Sequence, residues 1–234
     1  MITFGLDTAG KTAAVALMQG EALLYESFLN SGFTHSESLL PLVDGAFKAT
    51  GLAPADVELW GVCSGPGSFT GLRIGLAAVK GLAFGSSAGC APVSTLEALA
   101  YGCPAAEGTV IAALDARRGE VYWAAFALGT QPARLTPDAA SPLASLAPWI
   151  ENCKKPLFFV GDGAALCYNS YGTLPGVRRL PSAFGLCRGA AVCLAARRME
   201  RESQCVAAAQ LVPSYHRLSQ AERERAQRLE QQGR

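Results

Sequence analysis

The densest chemical signal in this 234-residue chain is Ser64-Gly65-Pro66-Gly67-Ser68-Phe69-Thr70-Gly71, a run of glycine, proline and hydroxyl residues between two apolar stretches. A run of this kind joining a strand to a helix turns backbone N–H groups outward at the helix N-terminus, where they can hold an anion. Gly67 and Ser68 are its phosphate candidates. The GK[ST] of a Walker loop is missing, and a tight strand-to-helix turn that needs glycine for positive φ is the plainer reading of the same residues. A second cluster is Asp7-Thr8-Ala9 with Thr12. In a nucleotide-binding hairpin, Asp7, Thr8 and Thr12 would meet phosphate and a metal-bound water; otherwise they build an Asx-type turn. Gly161-Asp162-Gly163 repeats the theme later in the chain, with Asp162 and Gly163 as candidates and the same two readings.

Other chemistries are excluded by counting. The two histidines, His35 and His216, are too far apart for an HExxH, HxxxH or HxH ligand set, so no metal centre is expected. The eight cysteines, Cys63, Cys90, Cys103, Cys153, Cys167, Cys187, Cys193 and Cys205, contain no CxxC. Most stand in apolar stretches and read as small core residues. Ser64 and Ser68 lie outside any GxSxG nucleophile turn, which leaves no sign of a hydrolase triad. Asp115–Glu120, DARRGE, reads as a solvated hairpin tip or, through Arg117 and Arg118, as a grip for a phosphate or an acidic partner. Half of the residues are hydrophobic and 17% are charged, with a formal net charge of +1. That composition builds a core with apolar surface to spare and does not suggest a nucleic-acid surface. The opening MITFGLDTAG places Asp7 where a signal peptide would be apolar, and no run of 18 apolar residues follows. A cytoplasmic protein with reduced thiols and no membrane association is the expectation.

The elements that must position these residues alternate regularly. Ile2–Asp7, Thr12–Met18 and Glu21–Phe28 predict an antiparallel meander of three strands. A helix follows over Ser36–Thr50, with His35-Ser36-Glu37 as its polar cap and Gly51 as its stop. Pro41 suits a first turn better than an interior, which moves the expected start toward Leu39. Leu59–Ser64 predicts a buried strand, the glycine run a turn, and the residues through Phe84 a helix. Ala91–Ser94 predicts another strand, and Ser94-Thr95-Leu96-Glu97 is a capping box opening a helix to Tyr101. The second half repeats this order loosely. Thr109–Leu114 and Val121–Leu128 form a hairpin, with a weak third strand at Arg134–Thr136 and a helix over Ser141–Ile150. Then come a strand at Lys155–Val160, a helix at Ala164–Tyr171, a strand near Val177–Leu180 and a long helix over Phe184–Glu202.

The βββαβαβα order resembles the ribonuclease-H-like unit of the actin-like and chaperone-ATPase superfamily. The predicted fold is therefore α/β, with two tandem ribonuclease-H-like lobes at residues 1–102 and 103–217. The helix 184–202 is free to pack back on the first lobe, and a charged tail covers 218–234. The helix after the glycine run stands out. From Leu72 to Phe84 only Arg73 and Lys80 are charged. Leu72, Leu76, Val79 and Ala83 make one apolar face; Ile74, Ala77, Ala78 and Gly81 make another. A surface helix is apolar on one stripe, so a second stripe calls for a second cover, either a partner protein or more of this chain.

LDTA near the N-terminus, HSE followed by LLPLVDGAF, SGPGSFTGLRIGLAAVKGLAF, VSTLEALA, DARRGEVYWA, VGDGA and PSYHR occur in this order between residues 2 and 217. Together they resemble the TsaB (YeaZ) family, GPGSFTGLRIG being the most specific stretch. The resemblance implies a role in making N6-threonylcarbamoyladenosine in tRNA, beside the anticodon. It implies a non-catalytic subunit that pairs with and activates the paralogous transferase TsaD, which holds its metal through histidines, with the ATPase TsaE joining them and tRNA reached through the complex. The shortage of histidines agrees with that role. The implied contact is a helical bundle from the first two helices of each protein, here Leu39–Thr50 and Leu72–Phe84. Its candidate residues are Leu39, Val43, Phe47, Arg73, Ile74, Ala77, Ala78 and Gly81, and a homodimer through the same face is the alternative in isolation. No resident cofactor is assigned; ATP or ADP at the cleft or at the complex interface stays open. LDTA in place of the commoner IDTS removes a hydroxyl at Ala9, and SGPGS in place of GRGPGS removes an arginine, both of which weigh against nucleotide binding here. The competing reading is an autonomous ATPase or small-molecule kinase of the same fold.

Overall fold

A first sheet is ordered β3-β2-β1-β4-β5 in a computed structural model that describes residues 1–217. Its strands are β1 (Ile2–Asp7), β2 (Ala13–Gln19), β3 (Ala22–Leu29), β4 (Leu59–Gly65) and β5 (Gly89–Ser94). The β1–β2–β3 meander is antiparallel, while β4 and β5 run parallel to β1. β1, β2 and β4 are buried almost throughout because both faces of the sheet are covered. On one face lie α1 (His35–Thr50) and α2 (Phe69–Leu82), closing a core of Phe4, Leu6, Val15, Trp60, Leu76 and Val79. On the other lies α6 (Gly189–Arg201), which crosses all five strands. Two strand glycines admit it: a Cβ on Gly61 would stand 2.7 Å from the Ala196 Cβ, and one on Gly5 would stand 2.7 Å from the Cys193 sulphur.

The second sheet follows the same plan with less material. β6 (Gly108–Arg117) pairs antiparallel with β7 (Glu120–Leu128) and parallel with β10 (Leu157–Val160). The short strands β8 (Ala133–Arg134) and β9 (Ala139–Pro142) both pair with the outer edge of β7. Read from that edge, the order matches β3-β2-β1-β4 of the first sheet. α3 (Thr95–Tyr101) packs against both α6 and β6. Its Glu97 carboxylate accepts from Arg198 Nε of α6 at 2.7 Å and from Arg134 of β8 at 3.2 Å, tying the two halves together. Among the described residues no helix is long and apolar enough to cross a membrane. The charged tail expected at 218–234 lies outside the described residues.

Four expectations are corrected. α1 starts at His35, not near Leu39, because the Glu37 carboxylate accepts from the Thr34 N–H (3.1 Å) and hydroxyl (2.6 Å) and fixes the first turn upstream of Pro41. Residues 139–142 form β9, not a helix, and Ser141 Oγ accepts from Trp123 Nε1 at 3.0 Å; the helix here, α4, spans only Ala147–Asn152. The strand expected near Val177–Leu180 shrinks to one bridge between Leu157 and Val177, since the Arg178 carbonyl is taken by the Tyr168 hydroxyl and Pro181 cannot extend a ladder. The long helix begins at Gly189, not Phe184, because the Gly185 carbonyl is used by the Gly161 N–H across the molecule.

Candidate partner face and interlobe cleft

The loop between β4 and α2 is filled by the chain itself. Ser68 N–H donates to the Ala9 carbonyl at 2.7 Å, and Ser68 Oγ caps α2 by accepting from the Gly71 N–H at 3.3 Å. Thr8 turns toward α2 and donates its hydroxyl to the Gly71 carbonyl at 2.8 Å. A Cβ on Gly67 would sit 2.5 Å from the Ala9 carbonyl oxygen, and one on Gly71 would strike the Thr8 carbonyl. The glycines therefore serve close backbone approach of the β1–β2 hairpin. The phosphate cradle expected at Thr8, Gly67 and Ser68 is closed, because the Ser68 N–H is spent on the chain's own carbonyl. Gly163 behaves alike: its N–H donates to the Ala113 carbonyl at 3.0 Å.

The PSYHR segment clasps this loop from outside. Ser214 N–H donates to the Ser64 carbonyl at 2.7 Å, and the Tyr215 ring stacks on Phe69 with centroids 4.2 Å apart. Arg73 Nε donates to the Tyr215 hydroxyl at 2.7 Å. Arg217 reaches the second lobe, donating to the Ala116 carbonyl and pairing with Glu120, each at 2.7 Å.

Between the two sheets, Asp7, Thr12 and Asp162 come together with Lys11, Thr95 and Cys187 around a cleft. Its free volume is about 10 Å³, room for a single water and not for a nucleotide. Asp7 is fully buried; one carboxyl oxygen accepts from the Ala9 N–H at 3.0 Å, and the Cys63 and Cys187 thiols also meet the carboxyl group. Burial pushes its pKa above the ordinary carboxylate value, against the lowering pull of that N–H. Burial raises Asp162 as well, opposed by the Asp115 N–H at 2.9 Å and by Lys11.

Relatives of this chain are recognisable at this point. Its residues 31–225 match the family model described as TsaD, tRNA N6-adenosine threonylcarbamoyltransferase. The tRNA threonylcarbamoyladenosine biosynthesis protein TsaB of Bacillus subtilis is 31% identical over 170 residues, 71% of this chain and 73% of that protein. The chain belongs to the TsaB family. The Escherichia coli protein of the same name is 37% identical over 128 residues, and the match spans 55% of its length. A Pseudomonas aeruginosa structure, described as an uncharacterized protein with similarity to peptidase YEAZ, superposes with a TM-score of 0.79 at 28% identity, covering 92% of this chain and 99% of that one.

In this TsaB-family chain the expected interface residues divide. Leu39 and Val43 are buried in the core of the first lobe, and Phe47 stacks on Phe4 at 5.5 Å beside Trp60. These three hold α1 on its sheet; Leu39 and Val43 are not surface, and Phe47 is half-buried. Arg73, Ala77 and Gly81 form an exposed line along α2, flanked by half-buried Ile74 and Ala78 and extended by Phe84, which is 88% exposed. Leu40, 61% exposed, is what α1 adds to the outside. The single apolar stripe of α1 was always going to face the sheet; only α2 carries a second one. Two features escaped the sequence reading. PSYHR was visible as a motif, but its clasp on Phe69 was not. Cys63 and Cys187 meet beside Asp7 although 124 positions separate them.

Proposed function

We propose that this chain is the non-catalytic partner subunit in forming N6-threonylcarbamoyladenosine in tRNA, pairing with and activating a TsaD transferase through α2. The observation that carries the reading is the uncovered line Arg73, Ala77, Gly81 and Phe84 on a helix whose opposite face is already buried. The names of the TsaB relatives supply the pathway. The narrow cleft and the self-satisfied glycine loop support a subunit that leaves nucleotide chemistry to its partner. TsaE and tRNA are then reached through the complex, and a nucleotide serving it sits at the interface or on the partner.

Ala77→Glu and Gly81→Glu test this. Both positions are exposed, and a Cβ on Gly81 meets nothing within 4 Å, so the isolated variants keep their fold. A carboxylate buried unpaired in an apolar bundle costs several kcal/mol, so affinity for TsaD falls by about 100-fold or more. Wild-type copurification by both variants overturns the assigned face. Steady turnover of ATP and magnesium by the isolated chain overturns the non-catalytic reading in favour of an autonomous ATPase.

A further inference from the structure

Asp7 ends β1, Cys63 lies near the end of β4, and Cys187 stands two residues before α6; all three are buried. One oxygen of Asp7 and the two sulphurs lie within 4.8 Å of one another, with the sulphurs 4.0 Å apart. In a tetrahedral zinc site with Zn–S near 2.3 Å and Zn–O near 2.1 Å, the S···S and S···O edges are about 3.8 and 3.6 Å. The S···S edge thus matches to about 0.2 Å before any ion enters, and the Asp7 oxygen lies within 4.8 Å of both sulphurs. Three further observations point the same way. Asp7 is fully buried, and both thiols lie against its carboxyl group. The Arg188 N–H at the N-terminus of α6 donates to the Cys187 sulphur and pulls against burial there. Asp7 and Cys187 both line the interlobe cleft, which has room for a single water, and Thr95, which also lines it, has a buried hydroxyl without a partner.

We infer that Asp7, Cys63 and Cys187 form a binding site for one Zn²⁺, with its fourth position facing the cleft. Two thiolates select a soft, tetrahedral ion over Mg²⁺ or Ca²⁺. Binding forms two Zn–S bonds and one Zn–O bond and releases both thiol protons, and the Asp7 proton where it is present, to solvent; nothing is oxidised or reduced. Burial, then the neighbouring thiol and the Asp7 charge, raise Cys63 well above the ordinary thiol value. Cys187 is pushed up to about 11, its hydrogen bond with Cys63 pulling down while burial and Asp7 push up. Because both thiols give up a proton on binding, affinity rises with pH. The site adds to the proposed partner role and does not use the outer face of α2.

The test is titration of the full, reduced, chelator-stripped chain with Co²⁺ as the probe. One equivalent binds, gives sulphur-to-cobalt charge-transfer absorption, and is displaced by one equivalent of Zn²⁺. Cys63→Ser and Cys187→Ser each weaken binding by about 100-fold or more, beyond the 10- to 100-fold typical of losing a ligand's supporting partner. Cys90→Ser, a buried cysteine elsewhere, leaves it unchanged, as does Ala77→Glu. Should the ligand variants fail to fold, X-ray absorption of the zinc-loaded wild type decides, with two sulphurs at about 2.3 Å expected. Absence of stoichiometric uptake, a charge-transfer band that survives either ligand variant, or a zinc shell without sulphur overturns the site.

Discussion

The corner from β4 to α2 and the corner from β10 to α5 (Ala164–Tyr171) take the same path and end differently. Each leaves a strand parallel to the centre of its sheet and turns through glycine. Each then donates an N–H to a neighbouring carbonyl, Ser68 to Ala9 and Gly163 to Ala113. Beyond that they part. α5 has eight residues and is fixed on its inner side, where the Tyr168 hydroxyl accepts from the Phe159 N–H at 3.1 Å and Tyr171 donates to the Leu143 carbonyl at 2.8 Å; its exposed side, Ala165, Asn169 and Ser170, is short and mostly polar. α2 has fourteen residues and keeps one long side bare. A shared topology dictates the corner, whereas the length and residue types of the outer side set the two helices apart: a long line through Ala77 and Gly81 on α2, a short and mostly polar one on α5.

The largest effect comes from breaking the shared part. Gly161 has φ +97°, and a Cβ there would strike the Ala113 carbonyl. Gly161→Val combines backbone strain with overpacking and is expected to cost about 4 kcal/mol, read from urea unfolding. Gly67→Val should cost a similar amount by driving Ala9 off the loop. A tolerant Gly67 beside an intolerant Gly161 would show that the corners are not equivalent.

Next is the link between the lobes. Glu97 is 8% exposed and faces two arginines, so Glu97→Ala leaves Arg198 and Arg134 without their shared anion. A cost of about 2 kcal/mol is expected, since Glu97 is buried but Arg198 keeps Glu202 and Arg134 keeps Asp138. A change under 1 kcal/mol in thermal or urea unfolding would mean that packing of α6 alone joins the halves.

A smaller contrast lies in the paired carboxyls. Burial raises both Asp7 and Asp162, so the folded chain holds protons that the unfolded chain releases. Their contribution to stability is therefore greatest below the unfolded value near 3.8 and declines as pH climbs from there toward the folded values. In the metal-free chain, Asp7→Asn should raise Tm at pH 7 and match wild type near pH 3. Asp162→Asn should do less, because the Asp115 N–H and Lys11 already offset burial there. An Asp7→Asn variant that is less stable at pH 7 would mean the carboxylate is held ionised by a partner.

These contrasts also mark what the sequence could reveal. Strands β1 to β4 were readable because each alternates or runs apolar between turn residues, and the Ala164–Tyr171 helix was read to the residue. The β9 edge, the missing strand near Val177 and the late start of α6 were not readable, because each depends on a carbonyl or hydroxyl taken by a distant partner. The same holds at the site. Ala77 and Gly81 were visible as a second apolar stripe, whereas the burial of Leu39 and Val43 was not, because a stripe does not say which side it faces. Lys11 and Thr95 joined the cleft only through folding, as did the thiols beside Asp7.

The smallest effect isolates the bare side of α2. Gly81 lies inside the helix, exposed, with open space where a Cβ would go. Helical glycine costs about 1 kcal/mol relative to alanine, so Gly81→Ala should stabilise the isolated chain by about that much, opposite in sign to Gly67→Val and Gly161→Val. A partner helix crossing at this point would pack against the bare backbone, and a methyl would hold it away. The same substitution should therefore weaken pairing with TsaD while raising Tm of the chain alone. Thermal unfolding and a binding isotherm on one variant separate the two. A gain in both would place the crossing elsewhere along the line from Arg73 to Phe84, whereas a loss of stability would show that Gly81 is already covered within this chain.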